Sequence, residues 1–367
     1  MKGLVPMASV NEISGSISSK QVRLFSEVKK GYTYFKDNDV LFAKITPCME
    51  NGKAAIANGL VGGIGFGSTE FHVLRTREEM LPSWIFYFVR RQQFRDAAKR
   101  NFTGTAGQQR VPTDFVSDAQ ISVPPLAEQS RLVDILTRAE GIVRLRREAL
   151  KKVQEIIPAL FVDMFGDPAT NPKGWPLKSV GDICSYTRYG PRFHDRDYSI
   201  DGAHILRTTD MGYSGELRWQ DSPILSMSEG ELEKYSLRAG TLLVTRTGAT
   251  IGKVALFEGA TRPCIAGAYL IELGFTDEVI PEFVLHFFLS SFGQALLTSG
   301  SRAVAQPNIN VPTIKAIRIP LPGLNIQREF AKNIERINSI QSQATRALAT
   351  AEATFQSLLH RAFAGEL

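Results

Sequence analysis

Residues 123–168 hold the pattern that most restricts how this chain can fold. Leu132, Leu136, Ala139, Val143, Arg146, Leu150, Val153, Ile157, Leu160 and Met164 are spaced alternately by four and three, and only Arg146 among them is not apolar. A seam that narrow suits one long helix lying against another. Pro125, just ahead of Leu126, is a favourable start, because the first amides of a helix have no partner to lose. Gly166 and Pro168 stop the pattern. Pro158 lies inside it and predicts a kink near its end.

The stretch returns at the C-terminus. A shift of 198 carries Gln129 onto Gln327, and the seam becomes Phe330, Ile334, Ile337, Gln341, Ala344, Leu348, Ala351, Phe355, Leu358 and Ala362. Two such helices, each behind a proline-rich lead-in, are expected to pair antiparallel. What precedes them repeats as well. Residues 242–246 answer 41–45, 252–255 answer 52–55, 269–273 answer 71–75, and 281–297 answer the aromatic helix expected at 82–100. The offset stays between 198 and 201 in this reading. The expected fold is α+β with an internal two-fold repeat. Similar mixed α/β domains at 1–122 and 169–321 are separated by helices at 123–168 and 322–367, which form an antiparallel coiled coil. Residues 171–204 have no counterpart in the first copy, which therefore reads as short at its N-terminal end.

Charge enters through its distribution. The chain carries 43 Lys+Arg against 37 Asp+Glu, and residues 1–122 hold 16 against 11 while 169–321 hold 15 of each. An acidic partner suits the first domain best. Three scattered cysteines and five scattered histidines fit neither a disulfide framework nor a metal site. No membrane span or signal peptide is read, so a cytoplasmic location is expected. The glycine-rich run at 61–67 is followed by a strand pattern at 70–75 where a phosphate cradle needs a helix. Asn171-Pro172 is spoiled as a methylation motif by Lys173, Glu27-Val28-Lys29 lacks the strand of a nuclease, and no Gly-x-Ser-x-Gly occurs. No catalytic residue, metal or cofactor is therefore expected.

In this order and with this repeat, the motifs resemble those of the specificity subunits of type I restriction–modification systems. The carriers are Pro124-Pro125-Leu126-Ala127-Glu128-Gln129 leading into a helix and Met164-Phe165-Gly166-Asp167-Pro168 closing it. Asn171-Pro172-Lys173-Gly174-Trp175, Gly52-Lys53-Ala54 and Thr69-Glu70-Phe71 add to them. The resemblance covers the full length. It implies two target-recognition domains, each reading half of a split sequence in double-stranded DNA. It also implies two methyltransferase subunits as partners, with restriction subunits in the complete nuclease.

Phosphates call for Lys and Arg, and base edges for amide and guanidinium groups on loops. Candidates in the first domain are Lys44, Thr46, Lys53, Gln108, Gln109 and Arg110. In the second they are Arg207, Thr208, Arg246, Thr247, Lys253, Arg302, Gln306, Asn308 and Asn310. A rival reading, a coiled-coil scaffold whose globules bind protein, draws on the neutral balance of residues 169–321.

Overall fold

The computed structural model describes residues 1–18, 21–105, 107–193, 198–299 and 308–367. It divides into two compact units, Met1–Lys151 with Gln343–Leu367, and Lys152–Ser342.

The first unit begins β1 (Lys2–Val5), β2 (Gln21–Arg23), α1 (Phe25–Val28), β3 (Thr33–Lys36), β4 (Val40–Ala43) and β5 (Ala54–Ile56). It continues β6 (Ile64–Gly67), β7 (Phe71–Leu74), α2 (Pro82–Arg90), α3 (Gln92–Arg100) and α4 (Thr113–Ser117), then enters the long α5 (Leu126–Phe165). Its sheets are ordered β2-β1-β6-β3 and β5-β4-β7.

The second unit follows with β8 (Leu177–Ser179), α6 (Val180–Ile183), β9 (Cys184–Tyr189), β10 (Tyr198–Leu206), β11 (Ile224–Leu225) and α7 (Glu229–Tyr235). Next come β12 (Thr241–Thr245), β13 (Val254–Phe257), β14 (Cys264–Ala266), β15 (Leu270–Phe275), α8 (Pro281–Leu289) and α9 (Ser291–Thr298). It closes with α10 (Val311–Ala316), β16 (Arg318–Pro320) and the start of the long α11 (Leu324–Ala364), whose residues from Gln343 on belong to the first unit. Its sheets are β11-β10-β14, β13-β12-β15-β9 and β16-β8.

The duplication is visible strand by strand. β1 runs parallel to β6, with Leu4 beside Phe66 and Val5 beside Gly67. β10 runs parallel to β14 in the same way, with Ile205 beside Ile265 and Leu206 beside Ala266. The glycine-rich run ends in this buried strand. A Cβ added at Gly65 would lie 2.6 Å from the Phe35 ring, so close packing, not a phosphate, explains that glycine.

Backbone hydrogen bonds correct the repeat register in the central strand. The carbonyl of Lys44 accepts from Val111 N–H, and the carbonyl of Arg246 accepts from Ile309 N–H. Lys44 therefore corresponds to Arg246, an offset of 202 (246 − 44), beyond the range read from sequence. Leu41 corresponds to Leu243, not Leu242. Lys44 N–H likewise donates to Glu70 and Arg246 N–H to Tyr269, so 269–273 match 70–74. The reason is a turn between β4 and β5 that is two residues longer than its counterpart. A one-residue slip matters because it reverses every side chain in the strand. Phe42 and Val244 both face the main core of their unit, whereas Leu41 and Leu243 both face a smaller one.

The aromatic helix is broken in both copies. Arg91 (ψ 137°) separates α2 from α3, and Ser290 (ψ 154°) separates α8 from α9. Ser290 Oγ accepts from Gly293 N–H at 3.0 Å and caps the second piece. At Arg91 the guanidinium lies over the rings of Phe88 and Phe363.

α5 continues through Pro158 as one helix of 40 residues, and α11 has 41. Every expected seam position is buried or half-buried except Arg146, which is exposed. Pairing is antiparallel within each unit. In the first, Leu132 and Leu136 share a core with Leu359 and Ala362, and Arg147 reaches Glu352. In the second, Phe161 and Phe165 meet Phe330 with ring centroids 5.6 and 5.0 Å apart.

One side chain ties each long helix to its globule. Gln129 and Gln327 are fully buried. Gln129 accepts from Leu81 N–H (2.9 Å) and donates to the carbonyls of Glu79 (2.8 Å) and Pro124 (2.7 Å). Gln327 accepts from Ile280 N–H (2.8 Å) and donates to Glu278 (3.4 Å) and Pro322 (2.7 Å). Each amide thus locks the start of a helix, its lead-in and the loop before the aromatic helix. Leucine has a similar volume and no polar atoms. Gln129→Leu is expected to destabilise the first unit by about 3 kcal/mol, because three backbone groups lose their buried partner. Gln327→Leu should do the same to the second unit. Urea unfolding of the full chain measures both, and an unmoved midpoint would show that the amides are dispensable.

Candidate nucleic-acid interface

In the first unit, the segment after β4 and the loop before α4 are laced together. Thr46 N–H donates to Gln109 (3.0 Å), and Val111 N–H to Lys44 (2.8 Å). Thr103 and Arg110 exchange both backbone hydrogen bonds, at 3.0 and 2.9 Å. These bonds tie residues 103–105 to residues 107–110 in a small hairpin-like pairing. Gly104 and Gly107 adopt positive φ, 109° and 87°, which glycine permits at no steric cost. Gln108 is exposed near the tip and Gln109 is half-buried. Lys44, Thr46, Gln109 and Arg110 therefore belong to one surface.

They are not equally available. Arg110 places Nε 3.1 and 3.0 Å from the two carboxylate oxygens of Glu70, and its terminal nitrogen 2.8 Å from one of them. Its other terminal nitrogen donates to the Gln108 carbonyl at 2.8 Å. These hydrogen bonds hold the Glu70 carboxyl below the usual carboxylate range, and the Lys44 charge adds to the effect. Arg110 thus braces the hairpin. Lys53 pairs with Glu12 at 3.7 Å.

The second unit sorts its candidates in the same manner. Thr247 and Asn308 form a backbone bridge. The Arg246 guanidinium donates to Asn308 Oδ1 at 3.3 Å and lies 4.6 Å from the centre of the Tyr189 ring. Lys253 donates to the Met211 carbonyl at 2.7 Å and lies 4.3 Å from the Tyr213 ring. Arg207 is engaged by Asp210, its terminal nitrogen 2.9 Å from the carboxylate. Burial opposes ionisation of Asp210, but hydrogen bonds from Arg207 and Ser222 outweigh it and hold the carboxyl low. Thr208 opens the short 3-10 turn Thr208–Asp210. Asn310 is a helix cap, accepting from Thr313 N–H at 2.8 Å. Arg302 and Gln306 lie outside the described residues.

Sequence reading missed three tyrosines. Tyr213 is 73% exposed, Tyr269 56% and Tyr189 39%. Tyr189 and Tyr213 stand under cations, and Tyr269 shares a backbone hydrogen bond with Arg246. A tyrosine beside or near a glycine (Gly190, Gly212, Gly267) was the available signal. Arg246 and Lys253 are half-buried, and cations seated on exposed aromatic rings can meet phosphates while the rings and amides meet bases. Among the described residues no cluster suited to a metal occurs.

A family profile described as the type I restriction modification DNA specificity domain matches residues 1–155 and 172–350. The chain is 39% identical over 135 residues to the specificity subunit of the type I restriction enzyme EcoEI of Escherichia coli, covering 36% of this chain and 23% of that protein. The chain thus spans under a quarter of that relative's length. The specificity subunit of MjaVIII from Methanocaldococcus jannaschii is 20% identical over 366 residues, covering 93% of this chain and 80% of that one. A solved structure, described as the structural basis of complex assembly and conformational transition of the type I R-M system, superposes with a TM-score of 0.66 at 20% identity. It covers 100% of this chain and 92% of its own, and the likeness shows the fold.

The division between bracing and presented residues is measurable. Asn310→Ala removes a helix cap and should cost about 1 kcal/mol. Arg110→Ala should lower the melting temperature by freeing the hairpin. Gln108→Ala should leave it unchanged. Scanning calorimetry of the three variants checks this, and a Gln108 effect matching that of Arg110 would contradict it.

Proposed function

We propose, starting from the fact that this chain belongs to the type I restriction modification DNA specificity family, that it reads a bipartite target in double-stranded DNA. In that role it directs methyltransferase and restriction subunits to the site. The observation that carries the reading is the equivalence of Lys44 and Arg246. Both lie where the central strand of a duplicated unit meets a polar loop, at 108–111 and at 308–310. The repeat thus offers a basic residue beside adaptable polar groups twice, as a split target requires.

In this reading residues 1–122 and 169–321 are the target-recognition domains. The candidate contacts in the first are Lys44, Thr46, Lys53, Gln108 and Gln109. In the second they are Arg246, Thr247, Lys253 and Asn308, joined by the three tyrosines. Arg110, Arg207 and Asn310 hold the loops that carry them. The helices at 123–168 and 322–367 join the domains and present the docking surface for two methyltransferase subunits. Ile142 and Leu145 are exposed on the part of α5 in the first unit, and Ile156 and Val162 on the part in the second. Apolar side chains turned outward on a helix already paired on another face suit a protein partner. The chain itself performs no catalysis in this account, needs no cofactor of its own and works in the cytoplasm. No helix among the described residues is long and apolar enough to cross a membrane.

Co-expression with the methyltransferase tests the assembly. The chain should co-purify with two methyltransferase copies, and the complex should bind its duplex with an affinity falling ~1000-fold between 50 and 200 mM salt. A stable lone chain with the methyltransferase present and unbound would overturn the reading. Weak salt dependence would favour the protein-binding scaffold. In the complex, Gln108→Ala with Gln109→Ala should relax one half-site only, read by sequencing the modified DNA. Equal loss at both half-sites, or none, would remove those glutamines as base readers.

A further inference from the structure

One arginine of the second unit is held in place and left unspent. Arg188 and Arg207 give their guanidinium groups to Glu272 and Asp210. Arg246, the residue after β12, is half-buried and joins no ion pair among the described residues. Its Nε donates to Asn308 Oδ1 at 3.3 Å, and no described residue engages its two terminal nitrogens. The group rests over the Tyr189 ring, 4.6 Å from its centre.

The supports under this guanidinium are fixed from several sides. Arg246 N–H donates to the Tyr269 carbonyl at 2.9 Å, and the Arg246 carbonyl accepts from Ile309 N–H at 2.8 Å. Thr247 and Asn308 are bridged through their backbones. Tyr189 ends β9, where it pairs with Ile271, and its hydroxyl oxygen accepts from Val311 N–H at 3.0 Å. Gly190 then passes so close to Gly267 that a Cβ there would lie 2.0 Å from the Gly267 carbonyl. A ring tethered at its backbone and at its hydroxyl keeps its place under the cation. In the first unit the same place holds Lys44, and an ammonium is a point charge without a fork.

We propose that Arg246 reads a guanine in the half-site bound by the second unit, with Tyr189 as the positioning residue that aims it. The inference rests on the DNA-reading function proposed above and names the base. With Nε engaged by Asn308, the two terminal nitrogens remain as a parallel pair of donors. In the major groove guanine alone presents two acceptors, O6 and N7, on one base edge. Adenine sets a donor beside its acceptor, thymine a methyl group, and cytosine offers a donor. A phosphate also accepts such a pair. It gains little, however, from a cation whose plane is fixed in advance. An in-plane pairing with a base edge gains more, because less side-chain freedom is lost on binding.

The test uses the complex with the methyltransferase and the duplex identified by mapping its modified bases. Base pairs are replaced one at a time, and binding is measured for the wild type, Arg246→Lys, Tyr189→Phe and Tyr189→Leu. In the wild type, replacing one G·C pair of one half-site should weaken binding by about 10- to 100-fold. Arg246→Lys should remove most of that penalty, while the penalties elsewhere and the salt dependence stay as they were. Tyr189→Leu should reduce it at the same pair, and Tyr189→Phe, which keeps the ring, should preserve it. Uniform weakening on every duplex, with the salt slope reduced by about one, would make Arg246 a phosphate contact and overturn the proposal. So would a change centred on an A·T pair, or Tyr189→Phe acting as strongly as Tyr189→Leu, which would leave the tyrosine only its bond to Val311. A wild-type complex without specific binding would remove the DNA-reading function and this inference with it. A specific wild type with unaltered variants would remove this inference alone.

Discussion

Two glutamine amides, wholly removed from water, set the frame on which everything else is hung. A buried amide without partners is costly, and one with all its partners is rigid. Gln129 and Gln327 meet that demand with the same three backbone groups in each unit. The start of each long helix is thereby fixed against the aromatic helix of its globule. Phenylalanine packing then extends the join, Phe165 and Phe330 in one unit answering Phe363 against Trp84 in the other. The helix seam supplies the apolar area, and the amides supply the register.

On that shared frame the polar loops diverge. The first unit presents a tight hairpin braced by an Arg–Glu pair between residues 40 apart in sequence. The second presents cations seated on tyrosine rings. Frame and loops answer to different constraints. A core position is held by volume and polar satisfaction, whereas a presented side chain is held only by what it meets. A duplicated chain can therefore keep one geometry and carry two chemistries.

The sequence disclosed the periodic and the repeated. The helix seams were legible because one spacing persists over ten positions, and the equivalence of Gln129 and Gln327 because both fall in register, whereas their anchoring role emerged only from their buried hydrogen bonds. The strand offset was misread by one residue, since a turn two residues longer leaves no mark in a pattern of alternating apolar residues. The breaks at Arg91 and Ser290 were both missed, because the apolar pattern runs through them, although the Ser290 side chain is a helix cap. The candidate surface was legible as loops carrying Lys, Arg, Gln and Asn. Which of these are presented was not, because their partners Glu70 and Asp210 are found only by folding. The tyrosines were passed over because exposure, not residue type, makes them distinctive.

The central claim is that one frame carries two independent readers. The most direct measurement replaces residues 169–321 with the matching segment of another family member, keeps both long helices, and maps the modified bases made by the assembled complex. The account predicts that one half of the split target changes while the other half and the gap between them stay as they were. Change in both halves, or a single unbroken target, would contradict it.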